Sequence, residues 1–163
     1  MAIETIEGEK VYLYNPYDVV NWNDEMIEKQ IRHLLPLYRG DADDMTGISK
    51  NIFILANITY LFGEMIARLT REYTLDKVKV EAKENKQITI ERNDWIKLNK
   101  GEKAPAMKYF EAKASEFVYN DYEALTKKLE QLTRFKNAYD SYEQIMNALK
   151  KRLDSIRYEE FNK

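Results

Sequence analysis

The 58 residues that follow Pro105 contain neither glycine nor proline, and apolar or aromatic side chains recur among them every three or four positions. The stripe runs Met107, Phe110, Ala114, Phe117/Val118, Tyr122, Leu125, Leu129, Leu132, Phe135, Tyr139, Tyr142, Met146, Leu149, Leu153 and Ile156. That spacing keeps one helical face against a partner, so the sequence predicts one continuous helix over 105–161. At ~1.5 Å per residue, about 50 residues make a rod of roughly 75 Å. A single apolar stripe of that length cannot be buried inside a compact 19.4 kDa chain. It needs a second long helix, another copy of the chain, or both, and a homo-oligomer is expected.

A second long helix is legible upstream. Ser49 is an acceptable N-cap. After it Ile52, Leu55, Ile58, Leu61/Phe62, Met65, Leu69 and Tyr73 step by threes and fours, with Val78, Val80 and Ala82 beyond. Between Asn85 and Glu91 the β-branched alternation Gln-Ile-Thr-Ile-Glu weakens the helical signal. Helix is the favoured reading there, a small β excursion the other. Asp94–Leu98 regains an apolar face, predicting helix over 49–98, and Asn99–Pro105 is the clearest turn in the chain. Two long helices joined by a short turn form an antiparallel helical hairpin.

The front of the chain adds less. A short helix is expected over 23–36, capped by Asn23 or Asp24 and carrying Met26, Ile27, Ile31, Leu34 and Leu35 on one face. Residues 1–22 read as an extended arm whose tyrosines pack on the bundle or on a neighbouring subunit. Lys10–Tyr14 alternates like a strand, but no partner strand is evident and Asn15-Pro16 breaks it. The expectation is an all-α fold in a single domain, 1–163: a long helical hairpin with a short N-terminal helix and an extended arm.

Few residue types here bear chemistry. The chain has no cysteine, which excludes disulfides, thiolate nucleophiles and cysteine metal sites and suits an intracellular or virion protein. Ile52–Leu69 comes nearest to a membrane span, but Asn57, Glu64 and Arg68 interrupt it, so no membrane is expected as a partner. His33, the single histidine, sits in the short amphipathic helix without a nucleophile at triad-like spacing. Carboxylate-bridged metal sites need Glu-x-x-His pairs, and none occurs. Asp41, Asp43 and Asp44 resemble the start of a calcium loop, but Gly47 falls one position late and Ile52 stands where a bidentate Glu belongs. An acidic cluster preceding a helix N-terminus is the better reading. Gly8 and Gly101 belong to no phosphate-binding loop. A non-enzymatic protein without cofactor or metal is expected.

Charge supplies the functional candidate. The net charge is −2. Residues 1–67 hold 5 basic and 11 acidic side chains, residues 68–108 hold 11 and 7, and residues 109–163 hold 10 of each. In the basic middle Lys77, Lys79, Lys83, Lys86, Arg92, Lys97, Lys100, Lys103 and Lys108 are interleaved with Trp95 and Tyr109. Single-stranded nucleic acid is held by such a mixture, cations tracking phosphates and aromatic faces stacking bases. The competing reading is a solvated helical face, since Glu81, Glu84, Glu91 and Asp94 alternate with the lysines at i,i+4.

The order of parts resembles the UvsY-like recombination mediators of tailed phages. The matching stretches are Ile54–Leu61 leading into the basic run Lys77–Arg92, and the closing Tyr139–Glu160. In the latter, Ile145-Met-Asn-Ala-Leu-Lys-Lys-Arg152 looks like the family's final helix. The resemblance covers roughly residues 50–163. It implies a helical hairpin that assembles into a ring, binds single-stranded DNA and helps load a RecA-type recombinase in place of the single-strand binding protein. It puts only Lys79, Lys83, Lys86 and Arg92 at the family's DNA-contacting positions; Trp95, Lys97, Lys100 and Lys103 join the candidate site from the basic middle itself, and the protein is expected in the cytoplasm of the host cell. The expectation from another class is a helical protein-interaction protein, such as a virion component or an inhibitor of a host defence system.

Overall fold

The computed structural model describes residues 5–6 and 8–162. The remainder of the expected arm, residues 1–4 and Glu7, lies outside them. The fold is all-α and hairpin-like. Its two long helices, α2 (Met45–Leu98) and α4 (Tyr119–Phe161), pack against each other, and α1 (Asp24–Leu34) and α3 (Met107–Phe117) are short. Its residues group into two compact units, one of 1–67 with 134–163 and the other of 68–133.

The first unit holds the larger core. Asn23 caps α1, its Oδ1 accepting from the Met26 amide at 2.8 Å, as the sequence led one to expect. The α-helix ends at Leu34 rather than 36, because Pro36 has no amide hydrogen to donate back into the helix, and Leu35–Leu37 tightens to a 3₁₀ turn. Ile27, Ile31 and Leu34 of α1 pack with Val11, Val19 and Trp22 of the arm and with Ile54, Ile58, Leu61 and Met65 of α2. Leu149 and Leu153 of α4 close a second cluster with Ile48 and Leu55.

The arm is more structured than an extended segment. Thr5–Ile6 (β1) pairs antiparallel with Glu9–Lys10 (β2) around Gly8, whose φ of 83° suits a residue without a Cβ. Of the alternating segment only Lys10 enters this ladder, Val11–Tyr14 forming no strand, and Pro16–Asn21 forms a 3₁₀ turn. Two of the arm's three tyrosines pack inward, Tyr12 donating to Asn57 Oδ1 at 2.7 Å and Tyr14 meeting Trp22 edge-on with centroids 5.4 Å apart, whereas Tyr17 is 86% exposed.

Helix α2 starts at Met45, four residues before Ser49. Asp44 is its cap, taking the Gly47 amide on Oδ1 at 2.8 Å, and a carboxylate there also opposes the helix dipole. The helix runs unbroken through Asn85–Glu91. One 18-residue window of it is long and apolar enough to cross a membrane, with a mean hydropathy of 1.5 and 39% of the window buried.

In the second unit the continuous helix expected from Pro105 is interrupted. Val118 adopts φ −99°, ψ 10° and separates α3 from α4. No glycine or proline marks the site. Val118 is instead held by complete burial with Val80 and Leu125, and its carbonyl accepts from Asp121 and Tyr122 to start α4. The interruption redistributes the stripe. Phe110, Ala114, Val118, Leu125 and Leu132 are buried, whereas Met107, Phe117, Tyr122 and Leu129 are exposed.

Candidate nucleic-acid interface

The basic residues singled out in the sequence lie in the second unit, Lys79 to Lys97 on α2 and Lys100 and Lys103 in the turn that follows it. At about 100° per residue, Lys79, Lys83, Lys86 and Lys97 fall on one flank of α2. Arg92 and Trp95 fall on the other, and Trp95 is half-buried. Its carbonyl accepts from both the amide and the side chain of Asn99, closing the helix.

Ion pairing divides the set further. Lys79 lies 3.5 Å from Asp76, Lys97 3.5 Å from Asp94, and Lys83 bonds Asp121 of α4 at 2.6 Å. Lys86, Arg92, Lys100 and Lys103 are exposed and make no ion pair among the described residues. These four, like Lys108, can meet an external anion without first leaving a carboxylate.

Lys79 and Lys83 converge with a third lysine from outside the basic middle. Lys128 of α4 bonds Asp76 at 2.6 Å and reaches Glu72 at 3.4 Å. The Asp76 bond raises its pKa and lowers that of Asp76. The three lysines, with Asp76, Asp121, Val80, Ala124 and Leu125, line a groove of about 220 Å³ between α2 and α4. Above it Lys83 Nζ sits 5.1 Å from the centre of the Phe117 ring. Lys128 and Phe117 were missed in the sequence. The signal for Lys128 was the hairpin register, since pairing Lys83 with Asp121 sets Lys128 opposite Asp76 one heptad away. For Phe117 there was none, because the interruption at Val118 carries no breaker residue.

The opposite flank of the same unit is tied by Glu84, which accepts from Ser115 Oγ and from Tyr122 Oη, each at 2.6 Å. The Ser115 and Tyr122 bonds hold the Glu84 carboxyl below its usual pKa, and the bond to Glu84 pushes the Tyr122 phenol up to about 12.

The remaining candidates have structural partners. His33 Nε2 donates to the Lys10 carbonyl. Asp44 is engaged as a helix cap and Asp43 pairs with Arg152. Among the described residues no group of three or more His, Cys, Asp or Glu is placed to hold a metal ion. No protein-family model matches the chain, and no curated protein or solved structure matches it.

Proposed function

We propose that this chain is a non-enzymatic, self-associating helical protein that binds single-stranded DNA through the second unit and assists recombination or replication beside a RecA-type recombinase or a single-strand binding protein, in the cytoplasm of a phage-infected cell. The observation that carries the reading is the flank of α2 on which Lys79, Lys83 and Lys86 rise at three- and four-residue spacing, extended by Lys128 across the groove. The resemblance to UvsY-like mediators supports the same reading. The units differ in charge accordingly: the second holds 14 basic and 12 acidic residues, the first 12 and 16. Phosphates would be drawn to the one and repelled by the other.

Electrophoretic mobility of a labelled oligonucleotide at rising salt tests the reading. Binding should weaken steeply, because each phosphate contact contributes roughly one unit to the slope of log affinity against log salt. Neutralising Lys79, Lys83, Lys86 and Arg92 to Gln should flatten that slope while leaving helicity intact. Absence of salt-sensitive binding by the native chain at 50 mM salt, a condition that favours phosphate contacts, would sink it. Light scattering at tens of micromolar tests self-association, and a stable monomer would refute that part.

A specific observation favours a second reading. Leu75, Val78 and Ile96 stand exposed on the outward side of α2, a surface suited to a protein partner, as in a virion component or an inhibitor of a host defence system. Failure of the DNA experiment leaves that reading in possession.

A further inference from the structure

We infer that Phe117 is the side chain on which a nucleic-acid base stacks, and that Lys83, Lys79 and Lys128 beside it hold the flanking phosphates. The inference rests on the DNA-binding reading and names the contact residues within it. Stacking needs an exposed aromatic face beside cations that follow the backbone. Trp95, the aromatic nearest the basic run in sequence, is half-buried and on the other flank of α2 from Lys79 and Lys83. Phe117 meets both requirements. The interruption at Val118 turns it out of the stripe to 56% exposure, a high value for a phenylalanine beside a buried neighbour. Lys83 lies over its ring, Nζ 5.1 Å from the centroid, and the same lysine lines the groove with Lys79 and Lys128.

The groove also contains two carboxylates. Asp121 now holds Lys83, and Asp76 holds Lys128 and Lys79. A phosphate entering this site must displace those carboxylates as ammonium partners. The two aspartates thus act as internal competitors, with a consequence unlike that of an ordinary solvated surface. Removing the Asp121 charge should tighten binding, because Lys83 then reaches a phosphate without breaking an ion pair.

The experiment is fluorescence anisotropy at low salt with two probes, a labelled oligothymidylate and an abasic sugar–phosphate oligomer of equal length. Phe117→Ala should bind the oligothymidylate roughly 5- to 100-fold more weakly, the loss expected for one stacked base. It should bind the abasic oligomer as the native protein does, and Phe117→Trp should restore affinity. Asp121→Asn should tighten both probes by up to roughly 5-fold, the worth of an exposed ion pair. Tyr119→Ala removes a still more exposed ring from the other side of α4 and should change neither. Circular dichroism on each variant verifies folding. If the native chain binds the oligothymidylate but Phe117→Ala does so equally well, or loses affinity equally for both probes, the stacking role is overturned and the DNA-binding reading stands. If the native chain binds neither probe, both are overturned.

Discussion

Tyr122 of α4 donates a 2.6 Å hydrogen bond to the Glu84 carboxylate of α2, linking the two long helices within the second unit. Ser115 of α3 donates to the other oxygen of the same carboxylate, so one acid ties three helices. A carboxylate is well suited to this because it accepts at both oxygens and each bond is charge-assisted.

That arrangement predicts two pH limits for the second unit. Glu84 titrates below its usual value of 4.5, so its contribution is present above pH 4.5 and is lost as pH falls below it. Tyr122 titrates at about 12 instead of 10.0. Its contribution is therefore complete below pH 10 and lost as pH rises from there towards 12. Tyr122→Phe should lower the melting temperature modestly, the hydroxyl being partly exposed, and should remove the alkaline limb. Melting curves of both proteins from neutral pH to pH 12 check this, and an alkaline limb unchanged in Tyr122→Phe would assign it to another group.

The pair Leu132 and Leu129 separates the core from the surface of the same helix. Leu132 is 4% exposed and Leu129 44%. Leu132→Asp places an unpaired charge in the seam and should cost on the order of 3 kcal/mol or more. Leu129→Asp should stay within about 0.5 kcal/mol. Urea titration of both variants reads the contrast directly. Equal destabilisation would mean that a second copy of the chain covers Leu129.

These two leucines also mark how far the sequence could be read. Periodicity identified both long helices and the turn between them, because a 3–4 apolar spacing without glycine or proline has few other solutions. It could not rank positions within the stripe, since Leu129, Tyr122 and Phe117 satisfy the same spacing as Leu132. The interruption at Val118 was hidden for a related reason: it arises from tertiary burial with Val80 and Leu125, not from a local breaker. The start of α2 was missed because Asp44 and Ser49 are both competent caps, and only the Gly47 amide decides between them. At the basic flank, composition singled out Lys79 and Lys83, while the contribution of Lys128 depends on how α2 and α4 are registered.

Gln30 should be costly to replace despite its chemistry being available at any surface. Its side chain is fully buried and reproduces the edge of a strand, accepting from the Leu13 amide and donating to the Val11 carbonyl, each at 2.8 Å. Gln30→Leu keeps much of the volume and strands both backbone groups. The buried Val11 carbonyl left unsatisfied costs about 1–3 kcal/mol and the part-buried Leu13 amide adds less, so the arm should detach from α1. Limited proteolysis should then cut within residues 11–15 of the variant well before the native protein. Equal cleavage rates would show that apolar packing of Val11 alone holds the arm.

Gly47→Ala tests the start of α2 against the usual rule. In a helix interior alanine is favoured over glycine by about 1 kcal/mol, so propensity alone predicts stabilisation. Here a Cβ would stand 2.7 Å from the Ala42 Cβ and 2.7 Å from Asp44 Oδ1, the atom that accepts the Gly47 amide. Relieving the clash moves the capping carboxylate away or pushes the Ala42 backbone outward, and loss of a cap costs about 1 kcal/mol. The steric and capping losses together exceed the propensity gain, so the variant should melt below the native protein. Asp44→Ala should fall by a similar amount, and the double variant should fall by less than the two effects added, because both act on one hydrogen bond. A Gly47→Ala protein that melts higher than the native chain would place the start of α2 further along, where Ser49 can cap it.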